Sequence, residues 1–125
     1  MNPKILIVDD EAHLRMLISQ ALEDLEDEGV ELLTATNGEE ALEMIQAETP
    51  NMVFLDVMMP KKNGFDVCQT VKHTLGLKNT YIVLLTAKGQ EYDKQKGQEV
   101  GADLYLTKPF DPDALLAKAK EILGL

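Results

Sequence analysis

Apolar residues recur along this chain in two alternating patterns. Short apolar-rich runs at Lys4–Val8, Val30–Ala35, Met52–Leu55, Tyr81–Leu85 and Asp103–Leu106 have the length and side-chain content of buried β-strands. After them the apolar residues fall at helical spacing. Leu14, Leu17, Ile18, Ala21 and Leu25 form a stripe after the first run. Ala41, Leu42 and Ile45 come after the second, and Phe65, Cys68, Val71 and Leu75 after the third. Local signals mark the helix starts. Asn37 has Glu40 three positions on, in the place of a capping box. Asn63-Gly64 opens the next helix, and Asp111-Pro112-Asp113 puts an acid at the N-cap and a proline at the first helical position. Leu115, Ala119 and Ile122 then face the core. The segment from Gly89 to Val100 is the weakest helix: Tyr92 and Val100 are its apolar residues, and Gly97 inside it costs roughly 1 kcal/mol against alanine.

Five strands each followed by a helix predict an α/β fold, a doubly wound parallel sheet with helices on both faces. No linker, repeat or low-complexity tract interrupts the alternation, so residues 1–125 are expected to form a single domain.

Composition narrows the function. The chain has 125 residues, 45% of them apolar, and a formal charge of −10. One arginine, Arg15, and no basic run longer than Lys61-Lys62 argue against direct nucleic-acid binding, which needs clustered cations. Cys68 is the single cysteine, so no intrachain disulfide is possible, and its helical position reads as a small buried apolar residue. No stretch is long enough to cross a membrane, and the start Met1-Asn2-Pro3-Lys4 lacks a signal-peptide pattern. A cytoplasmic protein is expected.

The chemistry lies at the strand ends. The first strand runs into Asp9-Asp10 and the third into Asp56. The fourth ends at Thr86-Ala87 and the fifth at Thr107-Lys108. A lone aspartate after a strand is more often a cap or turn residue. In a parallel sheet, however, all these ends share one edge, the edge at which open α/β folds build sites. Two like charges about 5 Å apart repel by roughly 3 kcal/mol at an effective dielectric of 20. A carboxylate cluster therefore calls for a proton or a cation. An all-oxygen donor set favours Mg²⁺ or Mn²⁺ over Zn²⁺. A carboxylate can also attack phosphorus to give an acyl phosphate, with a metal, Lys108 and Thr86 offsetting the charge on the transferred group.

Together, Val8-Asp9-Asp10-Glu11, Leu55-Asp56-Val57-Met58-Met59-Pro60 with Gly64, Leu85-Thr86-Ala87 and the run from Gly101 to Phe110 closely resemble the receiver domain of two-component response regulators. The resemblance covers about Lys4 to Leu123. It implies the flavodoxin-like strand order 2-1-3-4-5 and a phosphorylation-dependent signalling switch that catalyses only its own phosphorylation and dephosphorylation. Asp56 looks like the phosphoacceptor. Asp10, Asp56 and the backbone carbonyl of Met58 look like direct Mg²⁺ ligands, with Asp9 helping directly or through water. Thr86, Lys108 and the backbone N–H of Ala87 look like the contacts of the phosphoryl group. Lys108-Pro109 would be a cis peptide. Thr86 and Tyr105 would form the switch, both outward in the unmodified state, while Met58 and Lys88 would influence access of the hydrolytic water. The implied partners are a sensor histidine kinase or phosphotransfer protein, and a downstream target, an output domain of the same protein or a second copy, met through the 89–123 face. The chain is expected to be either a stand-alone receiver or the front of a longer regulator.

Two other classes compete. A Mg²⁺-dependent phosphatase with an aspartate nucleophile would place a second acid two residues after it, where this chain has Met58. A flavin carrier would need a phosphate-binding loop after the first strand, where this chain has acids. His13 and His73 fall at exposed-looking helix positions and read as solvated. Tyr92 and Phe110 read as packing residues.

Overall fold

The computed structural model describes residues 2–59, 61–87, 91–108 and 110–125. Five strands, β1 (Lys4–Val8), β2 (Glu31–Ala35), β3 (Met52–Asp56), β4 (Tyr81–Ala87) and β5 (Leu104–Lys108), alternate with α1 (Ala12–Ala21), α2 (Gly38–Glu48), α3 (Gly64–Gln69), α4 (Glu91–Glu99) and α5 (Pro112–Leu123). The sheet is parallel throughout in the order β2-β1-β3-β4-β5. This is the expected doubly wound arrangement, with the order the resemblance implied.

Alternate strand residues feed two cores. Leu6, Val8, Val53, Leu55, Ile82 and Leu84 pack on Ala41, Ile45, Val67, Cys68 and Val71 of the α2–α3 side. Ile5, Ile7, Met52, Phe54, Val83 and Leu85 pack on Ile18, Leu22, Leu25, Leu115 and Ala119 of the α1–α5 side. The strand residues are fully shielded on both faces. This is why the strands read as continuous apolar runs and not as alternations. Each large side chain so buried contributes roughly 1.5–3 kcal/mol.

Two helices depart from the expected pattern. The stripe that ran to Leu25 is divided: α1 ends at Ala21 and a 3₁₀ segment covers Glu23–Glu28. Acids at Glu23, Asp24, Glu26, Asp27 and Glu28 would repel one another along an α-helix and face its negative end. Leu17 is exposed and Leu22 is buried in its place. Leu17 stands about 100° round the helix from the buried Ile18, on the edge of the stripe. The third helix changes to a π turn over Thr70–Thr74, with the Leu75 N–H donating to the Thr70 carbonyl at 2.8 Å. Leu75 is left partly exposed, whereas Lys72 is buried.

The helix starts obey their caps. Asn37 Oδ1 accepts from the Glu40 N–H, Asn63 Oδ1 from the Asp66 N–H and Asp111 Oδ1 from the Asp113 N–H, each at 2.9 Å. The Glu40 carboxylate reaches back one residue further than expected, to the Thr36 N–H at 3.1 Å. The expected start of the fourth helix at Gly89, the side chain of Tyr92, Lys88 and the Lys108–Pro109 peptide lie outside the described residues.

Candidate functional site at the carboxyl edge

Register sets the site. Val8 pairs with Leu55, so Asp9 comes level with Asp56 at the ends of adjacent strands. Asp56 pairs with Leu85, which places Thr86 one residue beyond it, and Ala87 pairs with Lys108. Strand ends from four parts of the chain thus share one edge, as the pattern of acids predicted.

The side chains meet there. Carboxylate oxygens of Asp9, Asp10 and Asp56 lie within 4.8 Å of one another. Asp9 and Asp56 are buried and Asp10 is exposed. Lys108 Nζ donates to Asp56 Oδ1 at 3.0 Å and to Asp9 Oδ2 at 3.3 Å. Asp9 Oδ1 accepts from the Glu11 N–H at 2.9 Å. Both Asp9 oxygens are therefore engaged by the protein itself, while among the described residues none donates to the Asp10 carboxylate.

Electrostatics separate the acids further. Burial, and then the charge of Asp9, push the Asp56 carboxyl up to about 6 against the pull of Lys108. Burial works against the Lys108 ammonium. Its hydrogen bond to Asp56 and its attraction to Asp56 and Asp9 outweigh that cost and raise its pKa above the ordinary lysine value. The cluster fits a hard divalent cation: all its donors are oxygens, one carboxylate is open to solvent and another resists carrying its charge alone. Such an ion would supply counter-charge and a coordination point for phosphoryl oxygens.

The loop after Asp56 is fixed by backbone contacts. The Val57 N–H donates to the Leu85 carbonyl at 3.0 Å, and the Gly64 N–H to the Val57 carbonyl at 2.8 Å. A Cβ at Gly64 would come within 2.5 Å of the Asp56 carbonyl oxygen, so the loop closes this tightly only with glycine there. Met58, within the loop, is 72% exposed, so its side chain is not a packing element.

Thr86 is buried, and Tyr105 is half-buried with its hydroxyl shielded from solvent. The Tyr105 ring lies against Gly97, where an added Cβ would stand 2.9 Å from Tyr105 Cδ2. The glycine read as a weakness of α4 is a seat for the ring.

His13 and His73 are exposed, as expected. Cys68 is buried, and burial pushes its thiol up to about 12, which leaves it inert at neutral pH. Two features escaped the sequence reading. Arg15 Nη1 donates to the Asp9 carbonyl at 2.6 Å. Lys72, buried in the π turn, pairs with Asp103 at 2.7 Å and donates to the Thr80 carbonyl at 2.7 Å. The isolation of Arg15 in an acidic chain was a signal for the first. For the second, Lys72 falls four residues after Cys68, at a core-facing helical position. A shallow cleft of about 580 Å³ lies at the opposite edge of the sheet, lined by Lys4, Glu31, Glu48 and Asn51 among others, away from these acids. No helix among the described residues is long and apolar enough to cross a membrane.

Known proteins share this arrangement. Residues 5–120 match the response regulator receiver domain family. The alkaline phosphatase synthesis transcriptional regulatory protein PhoP of Bacillus subtilis is 44% identical over 123 residues, which are 98% of this chain and 49% of that protein. The chain thus spans about half the length of the curated relatives it matches. The BeF3-activated DrrB receiver domain is 36% identical, with a TM-score of 0.85 and full coverage of both chains. The chemotaxis response regulator CheY4 of Vibrio cholerae is 35% identical, with a TM-score of 0.83 over 98% of this chain and 99% of that one. These matches do not favour the phosphatase alternative. An acid cluster bridged by a lysine, on this fold and with these relatives, leads to one conclusion: the chain belongs to the response regulator receiver domain family and is a phosphorylation-dependent signalling switch, not a conventional enzyme.

Proposed function

We propose that Asp56 is the phosphoacceptor and that a sensor histidine kinase or phosphotransfer protein is the donor. A carboxylate oxygen of Asp56 attacks phosphorus, the phosphorus–nitrogen bond to the donor histidine breaks, and the imidazole nitrogen takes up a proton. Asp10, Asp56 and the Met58 carbonyl would hold Mg²⁺, with Asp9 in support. Lys108, Thr86 and the Ala87 N–H would stabilise the charge on the transferred phosphoryl oxygens. Dephosphorylation is the attack of water on the same acyl phosphate.

The observation that carries this reading is the position of Lys108. Its ammonium spans from the end of β5 to Asp56 on β3 and Asp9 on β1, holding a counter-charge over the buried acceptor. Phosphorylation would add about 1.5 to 2 negative charges at this point. Lys108 would then exchange a carboxylate for a phosphoryl oxygen, and Thr86 and Tyr105 would rearrange with it. Changed affinity would be read out on the face formed by residues 89–123. The partner there would be a downstream protein, an output domain of the same protein or a second copy. The names of the relatives, transcriptional regulators about twice this length, favour an output domain or a second copy. With a charge of −10, this chain itself is not proposed to touch nucleic acid.

Incubation with acetyl phosphate and Mg²⁺ tests the assignment by intact-mass measurement. Wild type gains one phosphoryl group and Asp56→Asn gains none. Labelling of the variant at another residue would overturn the assignment.

A further inference from the structure

Asp9 is held by the protein at each of its polar groups. Its N–H donates to the Ala35 carbonyl at 3.3 Å. Its Oδ1 accepts from the Glu11 N–H and its Oδ2 from Lys108. Its carbonyl accepts from Arg15 Nη1 at 2.6 Å, the shortest of the four. The first three bonds come from the sheet, the start of α1 and the acid cluster. The fourth comes from the chain's one arginine, half-buried on the first turns of α1.

That carbonyl belongs to the peptide joining Asp9 to Asp10. Its plane sets the direction in which Asp10 leaves the end of β1. Asp10 is exposed, and among the described residues none donates to its carboxylate. Its placement therefore depends on the backbone that carries it. A charge-assisted bond of this length is among the stronger ones available to a carbonyl. The guanidinium is also fastened by its own stem to the helix directly after the acids, so the bond ties the Asp9 peptide to α1.

We propose that Arg15 is a positioning residue for the metal site: by fixing the Asp9–Asp10 peptide, it holds the Asp10 carboxylate in place toward Asp56. The proposal rests on the reading of the acids as a Mg²⁺ site given above. Partners one shell out from a metal ligand typically change metal affinity by roughly 10- to 100-fold when removed. A single bond acting through a peptide belongs at the lower end of that range.

The test uses the full chain with Arg15→Met, which keeps the apolar stem and helix propensity but removes the donor, and Arg15→Lys, which keeps a charged donor. Two quantities are measured: the Mg²⁺ dissociation constant by calorimetry, and hydrogen exchange of the Glu11 amide in the presence of a chelator. The Glu11 N–H is bonded to Asp9 Oδ1, so its exchange reports the hold on Asp9 without any metal. The expected result is Mg²⁺ binding about 10-fold weaker in Arg15→Met, with faster Glu11 exchange, unchanged exchange in the core strands and partial recovery of both quantities in Arg15→Lys. Unchanged Glu11 exchange in Arg15→Met overturns the proposal. So does faster exchange with Mg²⁺ affinity within about twofold of wild type, a result that leaves the metal reading of the site intact. Failure of wild type itself to bind Mg²⁺ at millimolar concentration removes the metal reading, and the proposal with it.

Discussion

Lys108 Nζ stands 3.0 Å from Asp56 Oδ1, although β4 lies between the strands that carry the two residues. The long side chain crosses above the Thr86 end of β4 and reaches Asp9 on β1 as well. Two facing carboxylates thus share one ammonium. Lys108 does not bring the Asp56 carboxyl back to its ordinary value, because burial and the charge of Asp9 together exceed the attraction. The Asp56 carboxyl thus holds its proton to a higher pH than an ordinary aspartate.

A direct consequence is a pH dependence of stability with an unusual sign. The Asp56 carboxyl rises from 3.8 to about 6 on folding. Below the lower value both folded and unfolded chains hold the proton. As pH rises from about 4 to about 6, the unfolded chain releases it first, so stability falls, and above that window the loss is complete. The loss is on the order of 3 kcal/mol. Asp56→Asn lacks this contribution. Urea unfolding with a chelator present should show the variant gaining stability relative to wild type between pH 4 and pH 6, with a constant difference above. A difference independent of pH would refute the raised value.

The Lys72–Asp103 pair is a structural clamp, remote from the acids. The Lys72 side chain is 8% exposed, and its partner Asp103 Oδ2 also accepts from the Ile82 N–H at 2.8 Å. The pair ties the π turn to the starts of β4 and β5. Removing Asp103 leaves the buried Lys72 ammonium without its counter-charge, which typically costs about 3–5 kcal/mol. Asp103→Asn should therefore lower the denaturant midpoint severely. The double variant Lys72→Met, Asp103→Asn should recover part of the loss, since neither charge remains. Equal stability of Asp103→Asn and wild type would show the pair to be dispensable.

Gly97→Ala separates helix propensity from packing. Alanine gains roughly 1 kcal/mol in a helix interior, but its Cβ would meet the Tyr105 ring at 2.9 Å. Overpacking of this kind typically costs about 1–3 kcal/mol. The near edge of an aromatic ring can swing away, so the expected outcome is a displaced Tyr105 with a stability change within about 1 kcal/mol of wild type. NMR contacts between the Tyr105 ring and α4 should weaken, and the affinity of whatever partner reads the 89–123 face should shift with them. Unchanged ring contacts would show that Gly97 is not the seat.

The order of elements and the carboxyl-edge residues were legible in the sequence because both derive from periodicity. Buried strands appear as apolar runs, helices as stripes, and the residues just past each strand must sit at its end. Asp9, Asp10, Asp56, Thr86 and Lys108 were located in this way, and the register of the parallel strands brought them level. The strand order itself is not contained in the alternation of elements and came from the family resemblance.

Tertiary structure decided what periodicity does not encode: how far a side chain reaches, and which exceptions a helix takes. Arg15 is a polar position on a helix until its guanidinium is seen to end at the Asp9 carbonyl. Lys72 falls at a core-facing helical position, but its partner is seen only where the π turn and Asp103 enclose it. Gly97 reads as a defect in α4 until the Tyr105 ring is found against it. Each depends on where a flexible side chain from one element meets the backbone or side chain of another. Spacing along a chain fixes the face on which a residue lies, while the partner on that face is set only when the elements pack.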